Sequence, residues 1–262
     1  MINSFVIFDL KNPLIVKIFF SNEEFENRNL LFENGRFVKG NILMYKRFIK
    51  RLMDIILSLI AIVVLALPML LIVMAIKFSD PGPVMFKQRR VGMKKDGKIT
   101  YFMIWKFRSM KMSTPSDVPT HLLENPDQYI TKVGKVLRKL SLDELPQIFQ
   151  VLTSQLSFVG PRPALWSQDD LVAEREKYGA NDVKPGITGW AQINGRDELE
   201  IPVKAKLDGE YAAALNAGKF KGFFMDVKCL FGTVISVISS KGVVEGGTGE
   251  LKKREEKKEE TV

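Results

Sequence analysis

The strongest feature in the pattern of apolar and polar positions is one long apolar run. Residues 55–76, IILSLIAIVVLALPMLLIVMAI, contain no charged side chain over 22 positions. A helix of about 20 apolar residues is long enough to cross the hydrocarbon core of a bilayer. The run starts far from Met1 and lacks a small-residue cleavage site, which argues against a cleaved signal peptide. We therefore predict a membrane helix rather than a buried core helix.

Two details favour a helix that does not cross the membrane. Pro68 lies past the middle of the run, where a proline removes a backbone hydrogen bond and bends a helix. Basic residues flank the run on both sides, in KRFIKR at 46–51 and in the lysines and arginines at 77–95. Such residues favour the cytoplasmic side. Since proline is also tolerated in spanning helices, the pattern favours, without requiring, a re-entrant helix hairpin at 45–79 that bends at Pro68.

The pattern after this run predicts an α/β fold that is mostly α with a small β hairpin. Residues 83–110 form two β segments around a turn at Asp96 and Gly97. The residues at 111–128 are rich in Ser, Thr, Pro and Asp and predict a loop. Helical spacing predicts helices at 133–140, 142–152 and 165–178. The stretch 184–196, KPGITGWAQINGR, is punctuated by glycine and predicts irregular structure.

The last part of the pattern is an amphipathic helix. Apolar residues recur at helical spacing over 223–238, and this face either packs into the core or lies in the membrane interface. The chain then divides into four parts: an extension at 1–44 without an assigned role, the membrane hairpin at 45–79, a domain with interfacial amphipathic helices at 80–241, and a charged tail at 242–262 that is predicted to be disordered.

Charge and composition narrow the chemistry. The formal net charge of the 262 residues is +9, which indicates an anionic partner such as nucleic acid, a phosphorylated substrate or anionic lipid. The chain has one cysteine, Cys229, and one histidine, His121. An intrachain disulfide is therefore impossible, and a zinc site or a His-based catalytic triad is disfavoured.

A pair of adjacent acids in SLDELPQ is the first candidate for chemistry. Ser141 and Glu144 fit a capping box, in which Ser141 caps the helix predicted at 142–152. That interpretation leaves Pro146 unexplained, because a proline inside a helix costs about 3 kcal/mol. A broken local rule beside Asp143 and Glu144 suggests a functional or strained site.

Basic residues form the second candidate. KFRSM places Lys106 and Arg108 on one side of a β segment, and VGPRPA holds Arg162 between two prolines. Prolines fix the backbone, so Arg162 is suited to bidentate recognition of a phosphate. A purely structural turn is the alternative.

Taken together, five ordered motifs resemble the bacterial sugar transferases, which are monotopic phosphoglycosyl transferases acting on polyprenyl phosphate. The motifs are FKQRRVG, KFRSM, ITKVGKVLRKLSLDELPQ, FVGPRP and KPGITGWAQINGR, and the resemblance runs from about residue 45 to about 237. Tyr129 stands where an Arg is common in the family. A later Asp-Tyr-Asp pattern is matched only loosely, so Asp208 and Asp226 receive no role.

The resemblance implies a catalytic dyad of Asp143 and Glu144. It implies that Asp143 attacks the sugar-bearing phosphate of a UDP-sugar and expels UMP, and that polyprenyl phosphate then takes the sugar phosphate from the enzyme. Phosphoryl transfer calls for Mg²⁺, which prefers one or two carboxylates together with substrate phosphate, so Asp143 is the candidate ligand. The resemblance also implies that the domain at 80–241 is catalytic and cytosolic, on the cytoplasmic face of the bacterial inner membrane. The predicted phosphate-binding residues are Arg162, Arg196, Lys106, Arg108 and Arg138.

Two other classes of function stay open at this point. A membrane-anchored binder of nucleic acid or anionic lipid would use the basic surface without Asp143, although we predict no nucleic-acid partner. A glycosidase would need two carboxyl groups roughly 5–9.5 Å apart across its substrate, which suits consecutive acids poorly. The sequence leaves the sugar open, and it is compatible with a homo-oligomer.

Overall fold

The computed structural model describes residues 45–114, 126–195, 199–217 and 220–238, and two short strands before them. Those strands, β1 (Phe32–Glu33) and β2 (Arg36–Phe37), pair with each other in antiparallel fashion. The predicted roles of 1–44 and 242–262 therefore fall almost entirely on residues that are not described, as does most of the loop predicted at 111–128.

The described part is mostly helical with three small two-stranded sheets, as the pattern predicted. A short π-helical turn (Tyr45–Ile49) leads into α1, and short 3₁₀ turns separate several later elements. The regular elements after it are, in order, α1 (Lys50–Ser79), β3 (Met85–Lys95), β4 (Lys98–Phe107), α2 (Lys132–Lys139), α3 (Gln147–Leu152), β5 (Ser157–Val159), α4 (Asp169–Glu176), β6 (Gly186–Thr188), α5 (Trp190–Ile193), α6 (Ile201–Asn216) and α7 (Lys221–Ile238).

The predicted β hairpin is confirmed. Strands β3 and β4 pair in antiparallel register around a two-residue turn, with Lys95 opposite Lys98. Asp96 and Gly97 both have positive φ, 49° and 73°, which is the backbone conformation that tight hairpin turns require. The stretch at 184–196 is more regular than predicted, because β6 pairs in parallel with β5 and α5 follows it.

Helix α1 is the long apolar helix that the sequence predicted. It has 30 residues, and within the described ranges it is the one helix long and apolar enough to cross a membrane. The sequence pattern favoured a hairpin of two helices that bends at Pro68. In the structure the helix continues through Pro68 as one element. A proline can bend a helix without ending it, so a bend at this position stays a prediction. The outward face of α1 is apolar and exposed, including Leu52, Ile56, Leu59, Ile60, Val63, Val64, Leu67, Leu70 and Leu71.

Both ends of α1 are held by the same folded unit. Near its start, Arg51 donates from Nη1 to the carbonyl oxygen of Val151 and from Nη2 to that of Leu152, each at 2.6 Å. These carbonyls belong to the last turn of α3, which a cation stabilises. At the other end, Asp80 accepts a hydrogen bond at 2.8 Å from Nη1 of Arg108, at the end of β4. Both ends of the helix are therefore attached to the domain, while its buried residues lie at 50–58 and 69–76.

A buried carboxylate joins the start of α1 to the C-terminal helices. Asp226 is 2% exposed and accepts hydrogen bonds from Tyr45 Oη at 2.6 Å, Lys50 Nζ at 2.8 Å and Tyr211 Oη at 2.8 Å. A buried charge is tolerated when it is paired and fully hydrogen-bonded. The sequence interpretation assigned no role to Asp226, whereas in the structure this residue links α1, α6 and α7.

The amphipathic helix predicted at 223–238 is confirmed as α7. Its inner face contributes Asp226 and fully buried Cys229 to the core. Its outer face presents Phe224, Phe231 and Ile235, each about two-thirds exposed at 67%, 68% and 67%. Core packing therefore accounts for one side of the helix, and the interfacial role of the other side stays a prediction.

Candidate active site

The two adjacent acids lie in a tight turn between α2 and α3. Asp143 and Glu144 belong to a 3₁₀ turn, Leu142–Glu144. Ser141, just before it, has a left-handed backbone with φ of 55° and makes no side-chain capping hydrogen bond. The capping-box prediction is therefore wrong. The left-handed backbone of Ser141 does not suit a cap, because an N-cap residue needs extended backbone angles.

Pro146 does not lie inside a helix. The sequence predicted one helix over 142–152, but α3 begins at Gln147, immediately after Pro146. The φ of Pro146 is −60°, the angle that its ring imposes. A proline at a helix start leaves no hydrogen bond unmade, because the first N–H groups of a helix have no partner within it. The predicted strain is absent, and the proline instead separates the acidic turn from α3.

Glu144 is held between two cations. Its carboxylate accepts hydrogen bonds from Nη2 of Arg162 at 2.8 Å and from Nζ of Lys106 at 2.9 Å. Burial raises the pKa of Glu144, but the charges of Arg162 and Lys106 outweigh burial and hold that pKa well below its ordinary value. Glu144 is therefore ionised at neutral pH and fixes both cations in the site.

Asp143 is surrounded differently. The residue is 8% exposed, and its nearest cation is Lys106, with Nζ 3.8 Å from Oδ2. In the described ranges, no group donates a hydrogen bond to this carboxylate. Burial raises the pKa of Asp143, Lys106 lowers it, and the neighbouring charge of Glu144 raises it, so the net shift is upward. Asp143 is thus a buried carboxylate whose oxygens are free to bond to another group.

Two of the five predicted phosphate-binding residues contact the dyad, and a third acts on it through its charge. Lys106 comes from β4, and Arg162 from the turn after β5. Arg138 comes from α2, where its Nε donates to Oγ of Ser109 at 2.7 Å, and its positive charge also lowers the pKa of Asp143. Such a ring of cations suits a substrate that carries phosphate groups.

The other two predicted residues are not brought to the dyad. Arg108 is buried and pairs with Asp80 through Nη1 at 2.8 Å, and its Nη2 also donates to the Asp80 carbonyl oxygen. It therefore fastens the end of α1 to the hairpin. Strand alternation would place both residues on one side, but β4 ends at Phe107, so Arg108 lies just beyond the strand and is not bound by that alternation. Arg196 lies outside the described residues.

The sequence interpretation missed a buried ion pair next to Arg162. Arg175 on α4 and Asp208 on α6 are 4% and 1% exposed, and Nη2 of Arg175 lies 2.6 Å from Oδ2 of Asp208. Asp208 lies in the loosely matched pattern, while Arg175 lies in a helix that looked merely polar. Nothing in the local pattern distinguishes Arg175 from a surface residue, so only its tertiary contacts identify it.

The residues of the site fit a magnesium ion that binds together with substrate. Mg²⁺ is commonly held by one or two carboxylates and the phosphates of the substrate, rather than by a complete protein cage. Within the described ranges no cluster of three or more acidic, His or Cys residues forms such a cage. Asp143 offers a carboxylate without a hydrogen-bond donor, whereas Glu144 is occupied by Arg162 and Lys106. Asp143 is therefore the better candidate ligand.

The family model and the similar proteins both point to the same family. Residues 45–240 match the family described as bacterial sugar transferase. The chain is 41% identical over 201 residues to UDP-glucose:undecaprenyl-phosphate glucose-1-phosphate transferase of Escherichia coli (strain K12). It is 37% identical over 201 residues to UDP-N-acetylgalactosamine-undecaprenyl-phosphate N-acetylgalactosaminephosphotransferase of Aeromonas hydrophila, and 39% identical over 196 residues to the uncharacterized sugar transferase EpsL of Bacillus subtilis (strain 168).

The extent of these matches differs between the relatives. The matches cover 72% to 74% of this chain. They cover 40% of the E. coli protein and 45% of the A. hydrophila protein, so the chain spans less than half the length of these two relatives. They cover 90% of the B. subtilis protein. The residues that match the family, 45–240, include α1 and the acidic turn.

Proposed function

Because the chain belongs to the bacterial sugar transferase family, we propose that it transfers a sugar 1-phosphate from a UDP-sugar to polyprenyl phosphate. The products are polyprenyl-diphosphate-sugar and UMP. One observation carries the proposal: the buried carboxylate of Asp143 accepts no hydrogen bond from the described residues, yet lies among Lys106, Arg138 and Arg162. The names of the E. coli and A. hydrophila relatives, which include a UDP-sugar and undecaprenyl phosphate, support the same donor and acceptor classes.

The first step forms a covalent intermediate on Asp143. One carboxylate oxygen attacks the phosphorus that bears the sugar, and an O–P bond forms. The bond between this phosphorus and the oxygen that bridges to UMP breaks, and UMP leaves with both bonding electrons. No proton needs to be transferred, because the attacking carboxylate and the leaving phosphate are both anions. The enzyme then carries the sugar phosphate as a mixed anhydride of Asp143.

The second step returns the enzyme to its starting state. An oxygen of polyprenyl phosphate attacks the same phosphorus, and the bond from the Asp143 oxygen to phosphorus breaks. The carboxylate is regenerated, and the new phosphorus–oxygen bond completes the diphosphate of the lipid product. Splitting the transfer into two displacements lets the two large substrates use the same small site in turn.

The cations neutralise the phosphate that is transferred. Phosphoryl transfer depends mainly on positioning and on charge stabilisation at the non-bridging oxygens. Lys106 and Arg162 are held by Glu144 at hydrogen-bonding distance, so their positions are set before substrate binds. We assign Glu144 to orienting these two cations. Arg138 and Arg196 are proposed as further phosphate partners.

Asp143 and the diphosphate of the donor would hold the magnesium ion. When bound, the ion supplies positive charge to the phosphate oxygens. Lys106 and Arg162 would provide further positive charge to the phosphate of the donor.

We also propose that α1 enters and leaves the membrane on the cytoplasmic side. The contacts of its two ends support this, because Arg51 bonds to α3 and Asp80 bonds to Arg108 in the same folded unit. A straight crossing would carry one of these ends away from that unit. The outward apolar face of α1 and the outer face of α7 then meet the lipid, which brings the site to the polyprenyl acceptor.

Cysteine labelling tests this topology. Cys229 is fully buried. It is replaced by alanine, so that the one introduced cysteine is the only residue that the maleimide can label. New cysteines are placed at Lys46, before α1, or at Ser79, at its end. With an impermeant maleimide, we expect neither site to react in intact spheroplasts and both to react after the membrane is opened. Reaction of one site alone in intact spheroplasts would show a true crossing.

Release of UMP tests the reaction itself. Membranes containing the full chain are incubated with undecaprenyl phosphate, Mg²⁺ and one UDP-sugar at a time, including UDP-glucose and UDP-N-acetylgalactosamine. We expect UMP from at least one donor, loss of release in EDTA and recovery on addition of excess Mg²⁺. Absence of UMP from every donor would argue against the proposed reaction, and full activity in EDTA would remove the metal from it.

A further inference from the structure

The turn that carries Arg162 contains two prolines and little secondary structure of its own. Pro161 and Pro163 have no N–H group, so the turn cannot be held by the usual local ladder of hydrogen bonds. Buried carbonyl groups need partners all the same. Over residues 161–164, the four carbonyl oxygens accept hydrogen bonds, in chain order, from Gly186 N at 3.0 Å, Arg175 Nη2 at 2.9 Å, Arg90 Nη1 at 3.2 Å and Val91 N at 2.9 Å.

The bond to the carbonyl of Arg162 itself comes from a buried side chain. Nη2 of Arg175 donates to this oxygen, while Nε and Nη2 of Arg175 both donate to Oδ2 of Asp208, at 2.8 Å and 2.6 Å. Arg175 and Asp208 are 4% and 1% exposed, so the pair is enclosed by protein. An enclosed guanidinium that is fixed by a carboxylate on another helix has one orientation.

These contacts form a continuous chain to the acidic turn. Asp208 fixes Arg175, Arg175 fixes the backbone of Arg162, and the Arg162 side chain bonds to Glu144 at 2.8 Å. Glu144 neighbours Asp143 and also holds Lys106. From this geometry we infer that Asp208 and Arg175 are positioning residues for Arg162, and that they act on phosphoryl transfer through that residue alone.

The inference rests on the proposed function, because it assigns the pair an effect on a phosphoryl-transfer step. Displacing a catalytic group by about 1 Å can cost roughly 10²-fold in rate. Without the pair, the backbone carbonyl of Arg162 loses its hydrogen-bond donor. The backbone from which the Arg162 side chain extends is then no longer held in one position. The loss should appear mainly in kcat, because a cation that acts on the transferred phosphate stabilises the transition state more than the bound donor.

A paired substitution separates this role from a purely structural one. Removing one partner of a buried ion pair leaves an uncompensated charge, whereas replacing both with apolar residues is often tolerated. The variant is therefore Arg175→Met with Asp208→Leu, in the full chain in membranes. Lys177→Met is the matched control, since its ion pair with Glu174 lies on the surface near the same helix. We expect the control to match the wild type and the double variant to lose roughly tenfold to 10²-fold in kcat, and no more than Arg162→Ala loses, since the pair acts through that residue.

The decisive measurement repeats the double substitution in an Arg162→Ala background. If the pair acts through Arg162, the double substitution should lower kcat by less than about threefold in this background. The reason is that the effects of substitutions at interacting residues do not add. An equal loss in both backgrounds would overturn the inference. Asp208→Asn, which keeps the shape of the side chain, serves if the double variant folds poorly. Its kcat is measured in the wild-type and Arg162→Ala backgrounds and divided by the fraction of folded protein. Full activity of the double variant beside an active wild type would refute only the positioning role, while an inactive wild type would refute the proposed function.

Discussion

We expect UMP release to fall by on the order of 10⁴-fold or more when Asp143 is replaced by asparagine. An amide at this position keeps the size of the side chain but has no anionic oxygen to attack phosphorus. The structure leaves the Asp143 carboxylate without a hydrogen-bond donor among the described residues, so the substitution breaks no such bond and should leave the fold intact. The rate of UMP release and the melting temperature are both measured for purified protein in the same detergent.

Glu144→Gln is the matched control for this prediction. The two acids are adjacent and both are surrounded by cations, but only Glu144 holds Lys106 and Arg162 by hydrogen bonds. We expect the Gln variant to lose part of the activity and to keep Asp143 reactive, since a neutral amide can still accept a hydrogen bond. Equal and complete loss in both variants would contradict the separate roles. Normal turnover in Asp143→Asn would favour a binding protein that uses its basic surface alone.

Arg162→Ala should lower kcat/KM by roughly tenfold to a hundredfold. A hydrogen bond to a charged group contributes about 1.5–3 kcal/mol, and each 1.36 kcal/mol is tenfold in rate. The loss includes the contact with the phosphate and the contact with Glu144, whose carboxylate then keeps only Lys106 among its described partners. Steady-state rates with varied donor concentration measure the effect.

Arg89→Ala is the control for Arg162→Ala. Arg89 is also a guanidinium, but it is exposed and stacks over the ring of Tyr101, 4.3 Å from its centroid. Its removal should change kcat/KM by less than about twofold, because exposed cation–π contacts contribute only about 0.5–1 kcal/mol to stability. Equal losses in the two variants would mean that overall positive charge, rather than the fixed position of Arg162, drives the reaction.

The sequence predicted the elements with strong local signals. The β hairpin followed from alternation around Asp96 and Gly97, whose positive φ angles only a tight turn explains. Helices α1 and α7 followed from long apolar or amphipathic patterns. These features depend on neighbours in sequence, which is why a single chain contains enough information to predict them.

The predictions were wrong where one local sequence pattern is compatible with two backbone conformations. Ser141 and Glu144 have the spacing of a capping box, but Glu144 bonds to two cations that are distant in sequence. Pro146 looked like a defect within a helix, but it stands at the boundary where α3 begins. In both cases tertiary contacts decide which of the permitted local conformations forms.

Only those residues of the site that lie within the recognised sequence motifs could be predicted. Lys106 and Arg162 contact the acidic turn of Asp143 and Glu144, and the roles of these residues and of Arg138 stay predictions. Arg108 resembles Lys106 in sequence and serves α1 instead, while Arg175 and Asp208 are visible only once α4 and α6 are packed. Buried ion pairs and links such as Asp226 join residues far apart in the chain, and no local pattern encodes them.

The central claim is that Asp143 carries the sugar phosphate as a covalent intermediate. The most direct measurement is the intact mass of the purified full chain after incubation with an active UDP-sugar and Mg²⁺ in the absence of polyprenyl phosphate. We predict a mass increase equal to one sugar phosphate, located on the peptide that contains Asp143, with one equivalent of UMP released and the adduct removed by added acceptor. An adduct on another residue, or release of UMP only when the acceptor is present and no adduct at any time, would contradict the account.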